Sequence, residues 1–391
     1  MNFRTALAFA VTAGLMAGCG AEPAPAGAPS PSSGAPTPAG PSSATSSSAA
    51  PSSAAPSSTG GDACAAVTAQ MTQREKLAQL LVVGVSPTDP SGAARLVREN
   101  QVGGIFIGGN PTTILSGNAL DQVRGGARWG VSVAIDEEGG RVQRIDQLDG
   151  DMPSARTMAE TMTPAQVRDE ARRRAQQMRA RGVTEDYAPI ADVSGQPADG
   201  PIGDRSFSAD PHTARTYALA FATGLAEGGV TPVLKHFPGH GHAQGDSHDG
   251  AVTTPPLDSL RTNDLVPYEN VADYGASKVM VGHLTVPGLT GGQPASLSPA
   301  AYRLLREDYH FTGAVVTDDL GAMRAITSDH PLPEAVLDAL LAGADEALWS
   351  SGGKVGAVLD RLEAAMRDGE LPGARVDDAL GHVLRARHAC G

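Results

Sequence analysis

Cysteine is scarce, with three residues in a chain of 391, too few for the disulfide framework that holds small exported domains together. Cations are outnumbered, 30 Lys and Arg against 43 Asp and Glu, for a net charge of −13. Surfaces that grip nucleic acid neutralise phosphates with basic side chains, so no nucleic-acid partner is expected. Apart from one N-terminal stretch, no apolar run approaches the ~20 residues that span a bilayer, which excludes a multi-span transporter. A glycine-rich dinucleotide fingerprint is also missing: the first candidate strand, Leu80–Val83, runs into Gly84-Val85-Ser86-Pro87. That sets aside the dinucleotide-binding form of the doubly wound sheet. What is present in quantity is core material, because 41% of the residues are hydrophobic, enough for a substantial folded unit.

The first sixty residues carry no such material. Arg4 and the short apolar run Ala6–Gly18 read as a signal peptide over residues 1–18. The run ends Leu15-Met16-Ala17-Gly18-Cys19, which resembles a bacterial lipobox and makes Cys19 the expected lipid-attachment residue; ordinary cleavage beside a bystander cysteine is the alternative. Residues 19–62 then read as a disordered tether, almost entirely Ala, Pro, Ser, Gly and Thr from Gly20 to Gly60, with no large apolar side chains to offset the entropy of ordering. These features predict an exported chain, anchored at the outer face of the cell membrane through lipid only or held in the cell envelope. Cys64 and Cys390 flank the remainder. In an exported protein they invite a disulfide that ties the two ends together, with two free thiols as the alternative.

From residue 63 to residue 391, one repeating pattern fills the chain. Short apolar runs occur at Leu80–Val83, Gly104–Ile107, Val131–Ile135, Val183–Ala188, Pro232–Leu234, Lys278–Val281, Ala314–Thr317 and Glu346–Trp349. Most are rich in Val, Ile and Leu, as strands buried on both faces require. Between them lie helical patterns, including Pro164–Arg181, Pro211–Glu227, Leu257–Tyr274, Pro299–Asp308 and Pro333–Ala342, with Leu359–Arg367 and Val376–His388 as closing helices. Thr163-Pro164 and Ser298-Pro299 pair an N-cap residue with proline at the first helical position. Eight strand–helix units predict an α/β fold, a single (β/α)8 barrel of the TIM type, with a doubly wound sheet as the other option. A monomer is expected.

In such a barrel the chemistry gathers at the C-terminal ends of the strands. Just past the apolar runs stand Asp136, Asp192, Lys235 with His236, His283, and Asp318 with Asp319. Some of these, Asp192 and Asp319 foremost, could instead satisfy backbone groups at the rim. The densest stretch is Lys235 to His248, which holds four of the ten histidines. Its glycines and proline make it a loop, and Gly239, Gly241 and Gly245 make closure over a ligand feasible. Asp246 and His248 are two residues apart, so an extended loop places both side chains on one side. A carboxylate beside an imidazole fixes its tautomer and suits it to general acid/base work. A second reading of the same residues is a metal hydrolase, since His240, His242, Lys235, His283 and Asp318 resemble the ligand set of amidohydrolase barrels; there, however, the His-x-His pair follows the first strand and the lysine comes later. No metal or cofactor is expected.

Five blocks in order decide between the two. Ile135-Asp136-Glu137-Glu138-Gly139-Gly140-Arg141-Val142, Ala188-Pro189-Ile190-Ala191-Asp192-Val193, Ile202-Gly203-Asp204-Arg205-Ser206-Phe207, Lys235-His236-Phe237-Pro238-Gly239-His240-Gly241 with Asp246-Ser247-His248, and Val315-Val316-Thr317-Asp318-Asp319-Leu320 resemble the β-N-acetylglucosaminidases of glycoside hydrolase family 3. The resemblance implies an exo-acting retaining glycosidase that removes terminal β-linked N-acetylglucosamine. Asp318 would be the nucleophile of a covalent glycosyl-enzyme intermediate, and His248 with Asp246 the acid/base dyad. Asp136, Arg141, Arg205, Lys235, His236 and His283 would bind the terminal sugar. With export, the implied substrate is an N-acetylglucosamine-containing glycan or muropeptide derived from peptidoglycan. A sugar-binding protein without turnover, or a cell-wall spacer, is the non-enzymatic alternative.

Overall fold

A computed structural model describes residues 59–390. The expected signal peptide, Cys19 and nearly all of the expected tether lie outside the described residues. The tether boundary at residue 62 shifts: a helix, Thr59–Thr68, already begins inside it.

Eight parallel strands form the core: β1 (Leu81–Gly84), β2 (Gly104–Phe106), β3 (Ser132–Ile135), β4 (Glu185–Asp186), β5 (Thr231–Phe237), β6 (Lys278–Val281), β7 (Val315–Thr317) and β8 (Ala347–Trp349). They run in the order β8-β1-β2-β3-β4-β5-β6-β7, and a bridge between Val316 and Glu346 closes the ring. This is the (β/α)8 barrel. All eight expected strands are there: β2, β3, β7 and β8 are each trimmed by one residue, β1 is shifted by one, β6 matches and β5 runs on to Phe237. β4 is trimmed most. Asp186 pairs with Pro232 of β5, and a proline has no N–H to give to a ladder.

Helices surround the ring. Thr163 caps Pro164–Ala180, its side chain accepting from the Gln166 N–H while the Gln166 side chain accepts from the Thr163 N–H, a reciprocal capping box. Pro211–Glu227 is capped by Asp210. The expected helix over 257–274 is instead three short pieces, Leu257–Arg261, Val266–Tyr268 and Val271–Tyr274. Pro267 withholds an N–H there, and Asn270 takes a left-handed conformation at φ 50°. Ser298 makes no side-chain cap, and the helix after it, Pro299–Arg303, passes into a π turn over Leu304–Asp308.

Two apolar zones follow from this layout. The larger fills the space between strands and helices. The smaller lies inside the ring and takes one residue from each strand or its edge: Val82, Phe106, Ala134, Tyr187, Val233, Met280, Val316 and Leu348. That layer is the floor of the site. In another part of the interior Lys278 is fully buried between Glu185 at 2.7 Å and Glu346 at 2.5 Å. The C-terminal helix Gly373–Ala386 packs against the helices at the chain's start. The Cys64 and Cys390 sulfurs are bonded in this structure, 326 residues apart in sequence, with Cα atoms 4.8 Å apart.

Asp345, Asp378 and His382 place one ligand-type atom each within 4.8 Å of the others. Arg306 and Arg375 already donate to Asp345, so this group is an ion-pair node. Among the described residues no helix is long and apolar enough to cross a membrane.

Candidate active site

A cavity of about 550 Å³ opens above the inner apolar layer, and Phe106, Tyr187, Met280 and Leu348 of that layer line it. Phe106 and Tyr187 stack with ring centroids 5.5 Å apart. The polar lining comes from the C-terminal ends of the strands and the loops beyond: Asp136, Glu138, Arg144, Arg205, Lys235, His236, His240, Asp246, His248, Asp318 and Asp319.

β5 is built to deliver two of these. Leu234 pairs with Val279 and Phe237 with Val281, so one extra residue is inserted between them. Such a bulge re-aims side chains, and Lys235 and His236 are the residues it carries. The peptide between them is cis. The Lys235 ammonium sits 2.6 Å from Asp136 and 2.7 Å from Glu138. Burial works against its charge, but the two carboxylates more than offset that and hold Lys235 above the ordinary lysine value. Arg205 grips Glu138 through both nitrogen arms at 2.7 and 2.9 Å. Burial alone would raise the Glu138 carboxyl; Arg205 and Lys235 overcome it and keep the group far below the usual carboxylate range. Arg144 reaches Asp136 at 3.4 Å.

Asp192 organises the loop after β5. Burial opposes its ionisation, yet His236 and His240 hold it below the ordinary aspartate value. One oxygen accepts the backbone N–H groups of His236 and His240, at 3.3 and 2.6 Å. The other lies 2.7 Å from His236 Nδ1. A carboxylate only accepts, so Nδ1 carries a hydrogen and Nε2 is the nitrogen left for the cavity.

Asp318 follows β7 directly and is 6% exposed. It accepts the Asp319 N–H at 2.9 Å. Burial pushes its carboxyl up, but the charges of His236, His283 and Lys235 and the Asp319 N–H outweigh this and hold it below the usual range. An ionised, buried carboxylate at a strand end is a competent nucleophile. The Asp319 carboxylate is engaged by protein: it accepts the N–H groups of Gly321 and Ser350 at 2.9 Å each and binds the Ser350 hydroxyl. Both aspartates therefore satisfy backbone groups at the rim, and Asp192 holds the His236 ring as well.

His248 Nδ1 lies 2.8 Å from Asp246, whose same oxygen accepts the His248 backbone N–H at 2.9 Å. Burial raises the Asp246 carboxyl, and the hydrogen bonds from His248 lower it further than burial raises it. The His248 side chain is 66% exposed, so Nε2 is accessible from the cavity mouth. This loop is anchored twice. Gln244 bridges Thr253, next to the short strand Val252–Thr253 that pairs with Leu284–Thr285. The Ser247 carbonyl accepts the Ala325 N–H at 3.1 Å.

Two expected sugar contacts move elsewhere. Arg141 does not line the cavity; it donates to the carbonyls of Gly200, Pro201 and Ile202 and pairs with Asp204 at 3.0 Å. It therefore pins the loop that presents Arg205. His283 is also absent from the lining. Its Nε2–H donates to the Asp319 carbonyl at 3.0 Å, and Nδ1 lies 2.7 Å from the Ser296 hydroxyl. Burial holds it below the ordinary histidine value. With both ring nitrogens engaged by protein, it positions the backbone beside Asp318. Asp136, Arg205, Lys235 and His236 do line the cavity. Sequence reasoning left Glu138 and Arg144 without roles and gave His240 one only in the metal reading. For Glu138 the only signal was its place in the Ile135–Val142 block, since Arg205 and Lys235 reach it through the fold. For Arg144 there was none.

Residues 72–386 match the model of the glycosyl hydrolase family 3 N-terminal domain. The chain belongs to glycosyl hydrolase family 3. Among family 3 relatives, the chain is 52% identical over 326 residues to the Mycobacterium tuberculosis protein named beta-hexosaminidase LpqI, covering 82% of this chain and 84% of that one. A solved family 3 glycosyl hydrolase from Mycobacterium smegmatis superposes with a TM-score of 0.78 at 50% identity, over 81% of this chain and 98% of its own. A family 3 β-N-acetylglucosaminidase from Paenibacillus sp. reaches 0.76 at 27% identity, over 82% of this chain and 63% of its own.

Proposed function

We propose that this family 3 β-hexosaminidase removes a terminal β-linked N-acetylglucosamine with retention of configuration, Asp318 acting as nucleophile and His248 with Asp246 as acid/base. The observation that carries the reading is one cavity that holds both a buried carboxylate kept ionised and an exposed imidazole backed by a carboxylate. Retaining hydrolysis needs those two functions.

In the first step an Asp318 oxygen bonds to the anomeric carbon as the bond to the leaving oxygen breaks. The His248 imidazolium passes its Nε2 proton to that oxygen, while Asp246 holds Nδ1–H and stabilises the imidazolium before transfer. In the second step neutral Nε2 takes a proton from water, the water oxygen bonds to the anomeric carbon, and Asp318 leaves as carboxylate. Asp136, Lys235, Arg205 and His236 supply hydrogen bonds to the sugar's hydroxyls and acetamido group. The exported, lipid-anchored chain read from Arg4 to Cys19 makes peptidoglycan fragments the substrate class.

Release of p-nitrophenol from the β-N-acetylglucosaminide tests the reading. Wild type should turn over, and the first-formed sugar should be the β anomer by NMR. Silence of the wild type between about pH 5 and 8 sinks the enzyme reading; a first-formed α anomer sinks retention; an active Asp318→Ala variant moves the nucleophile elsewhere. Replacing Cys19 with Ser should release the protein from the membrane fraction, and an unchanged membrane share would overturn the anchor.

A further inference from the structure

We propose that His240 is a further sugar-contact residue, a neutral imidazole that exchanges a hydrogen bond with a hydroxyl of the pyranose bound beside Asp318. The proposal rests on the glycosidase reading above and adds a residue to it.

The backbone around His240 is clamped on both sides. Gly239 has φ 124°, and a Cβ there would collide with the side chain of Asp264. At Gly241 a Cβ would collide with the Val193 carbonyl. These two glycines permit close approach of backbone to its neighbours. His242 binds Asp264 at 3.0 Å, the Gln196 side chain donates to the Gly241 carbonyl at 3.1 Å, and the His240 N–H donates to Asp192 at 2.6 Å. Two segments, the loop after β4 with Asp192, Val193 and Gln196 and the turn at Asp264, thus fix one residue.

The ring so fixed has no work within the protein. His240 is 5% exposed and lines the cavity. Nδ1 is buried without a hydrogen-bond partner. No hydrogen bond from either ring nitrogen is formed among the described residues. The His240 and His236 rings pack edge to face with centroids 5.8 Å apart. Buried polar groups in native proteins find partners; Nδ1 is sealed from solvent, whereas the equally unpaired Nε2 is not, so Nε2 is the nitrogen a polar ligand in the sugar-sized pocket completes. Burial, with His236 acting in the same direction, holds His240 below the ordinary histidine value. A neutral imidazole presents at Nε2 either an N–H or a lone pair, according to its tautomer, and a hydroxyl, itself donor and acceptor, pairs with either. The charged and titratable groups around it are Asp192, His236, Asp246 and Asp318.

Two variants of the full chain test this. His240→Leu removes both nitrogens at similar volume; His240→Gln restores one donor and one acceptor. Calorimetric binding of N-acetylglucosamine to His240→Leu should weaken about tenfold, the value of one lost hydrogen bond, with KM on the p-nitrophenyl glycoside rising in step. His240→Gln should recover most of that, and the pH profile of both should keep the wild-type shape. Wild-type binding by His240→Leu overturns the proposal, as does a Gln variant no better than Leu. If neither variant folds, histidine-labelled wild type answers by NMR: the His240 ring nitrogens should shift on adding sugar, and unmoved signals overturn it. A wild type that neither binds N-acetylglucosamine nor cleaves its glycoside is a different failure: the parent reading falls, and this one with it.

Discussion

Two lysines in this barrel are held the same way and serve different ends. Lys235 lies between Asp136 and Glu138, and Lys278 between Glu185 and Glu346, with every contact between 2.5 and 2.7 Å. Both are buried. Only the first faces the cavity. Around Lys235 the network continues outward through Arg205 and Arg144, where a ligand can replace or extend a hydrogen bond. Around Lys278 there is nothing to bind: burial, the nearby Glu346 and the limited reach of one ammonium leave Glu185 raised above the ordinary value. The same ionic chemistry therefore supports a substrate site where it meets a cavity and only the barrel where it is sealed. Charge in a barrel interior is a poor marker of function until its exposure to the cavity is known.

The sharpest way to break this contrast is to separate activity from stability. Asp318→Asn should reduce turnover of the p-nitrophenyl substrate by about a thousandfold or more, as loss of a covalent nucleophile does. Its melting temperature should stay near that of wild type. Next in size, Lys278→Met should destabilise the fold by about 3–5 kcal/mol, because it strands two buried glutamates, while the fraction that remains folded keeps its KM. Denaturant melts of Lys278→Met that match wild type would remove the structural role of the sealed triad. Lys235→Met should fall between, losing about a hundredfold in kcat/KM. A Lys235→Met variant of full activity would mean that the two lysines are equivalent after all.

How much of this was legible beforehand divides along the same line. The eight strands announced themselves as apolar runs, since strands buried on both faces need Val, Ile and Leu. β4 is the instructive exception: its two ladder residues are Glu185 and Asp186, and the apolar pattern around them located the strand but not what it carries. The site residues on strand ends were legible because barrel topology puts them there. Side-chain direction was not. Arg141 and His283 stand at the right places in the chain yet spend their donors on backbone carbonyls. Glu138 was passed over because the partners that give it a purpose, Arg205 and Lys235, are 67 and 97 positions away in sequence and adjacent only in the fold. His240 was visible as part of a dense histidine loop, but that its ring lacks a partner is a fact of packing.

The smallest expected effect bears on the same contrast through pH. Asp318 is held below the ordinary aspartate range, in part by the charge of Lys235. In the proposed mechanism its ionised form is the one that attacks, so wild-type activity should persist as pH falls through the ordinary carboxylate range, near 4, until the lowered value is reached. Lys235→Met deletes one of the positive charges that favour the carboxylate. The sign follows: the Asp318 value rises, and the acid limb of kcat/KM moves to higher pH, by about one unit or less because His236, His283 and the Asp319 N–H remain. The sealed lysine is not among the main influences on Asp318, so a milder change there, Glu185→Gln, should leave the limb in place. A limb that moves equally in both variants would show that the two networks are electrostatically one, and that the inner apolar layer does not separate them.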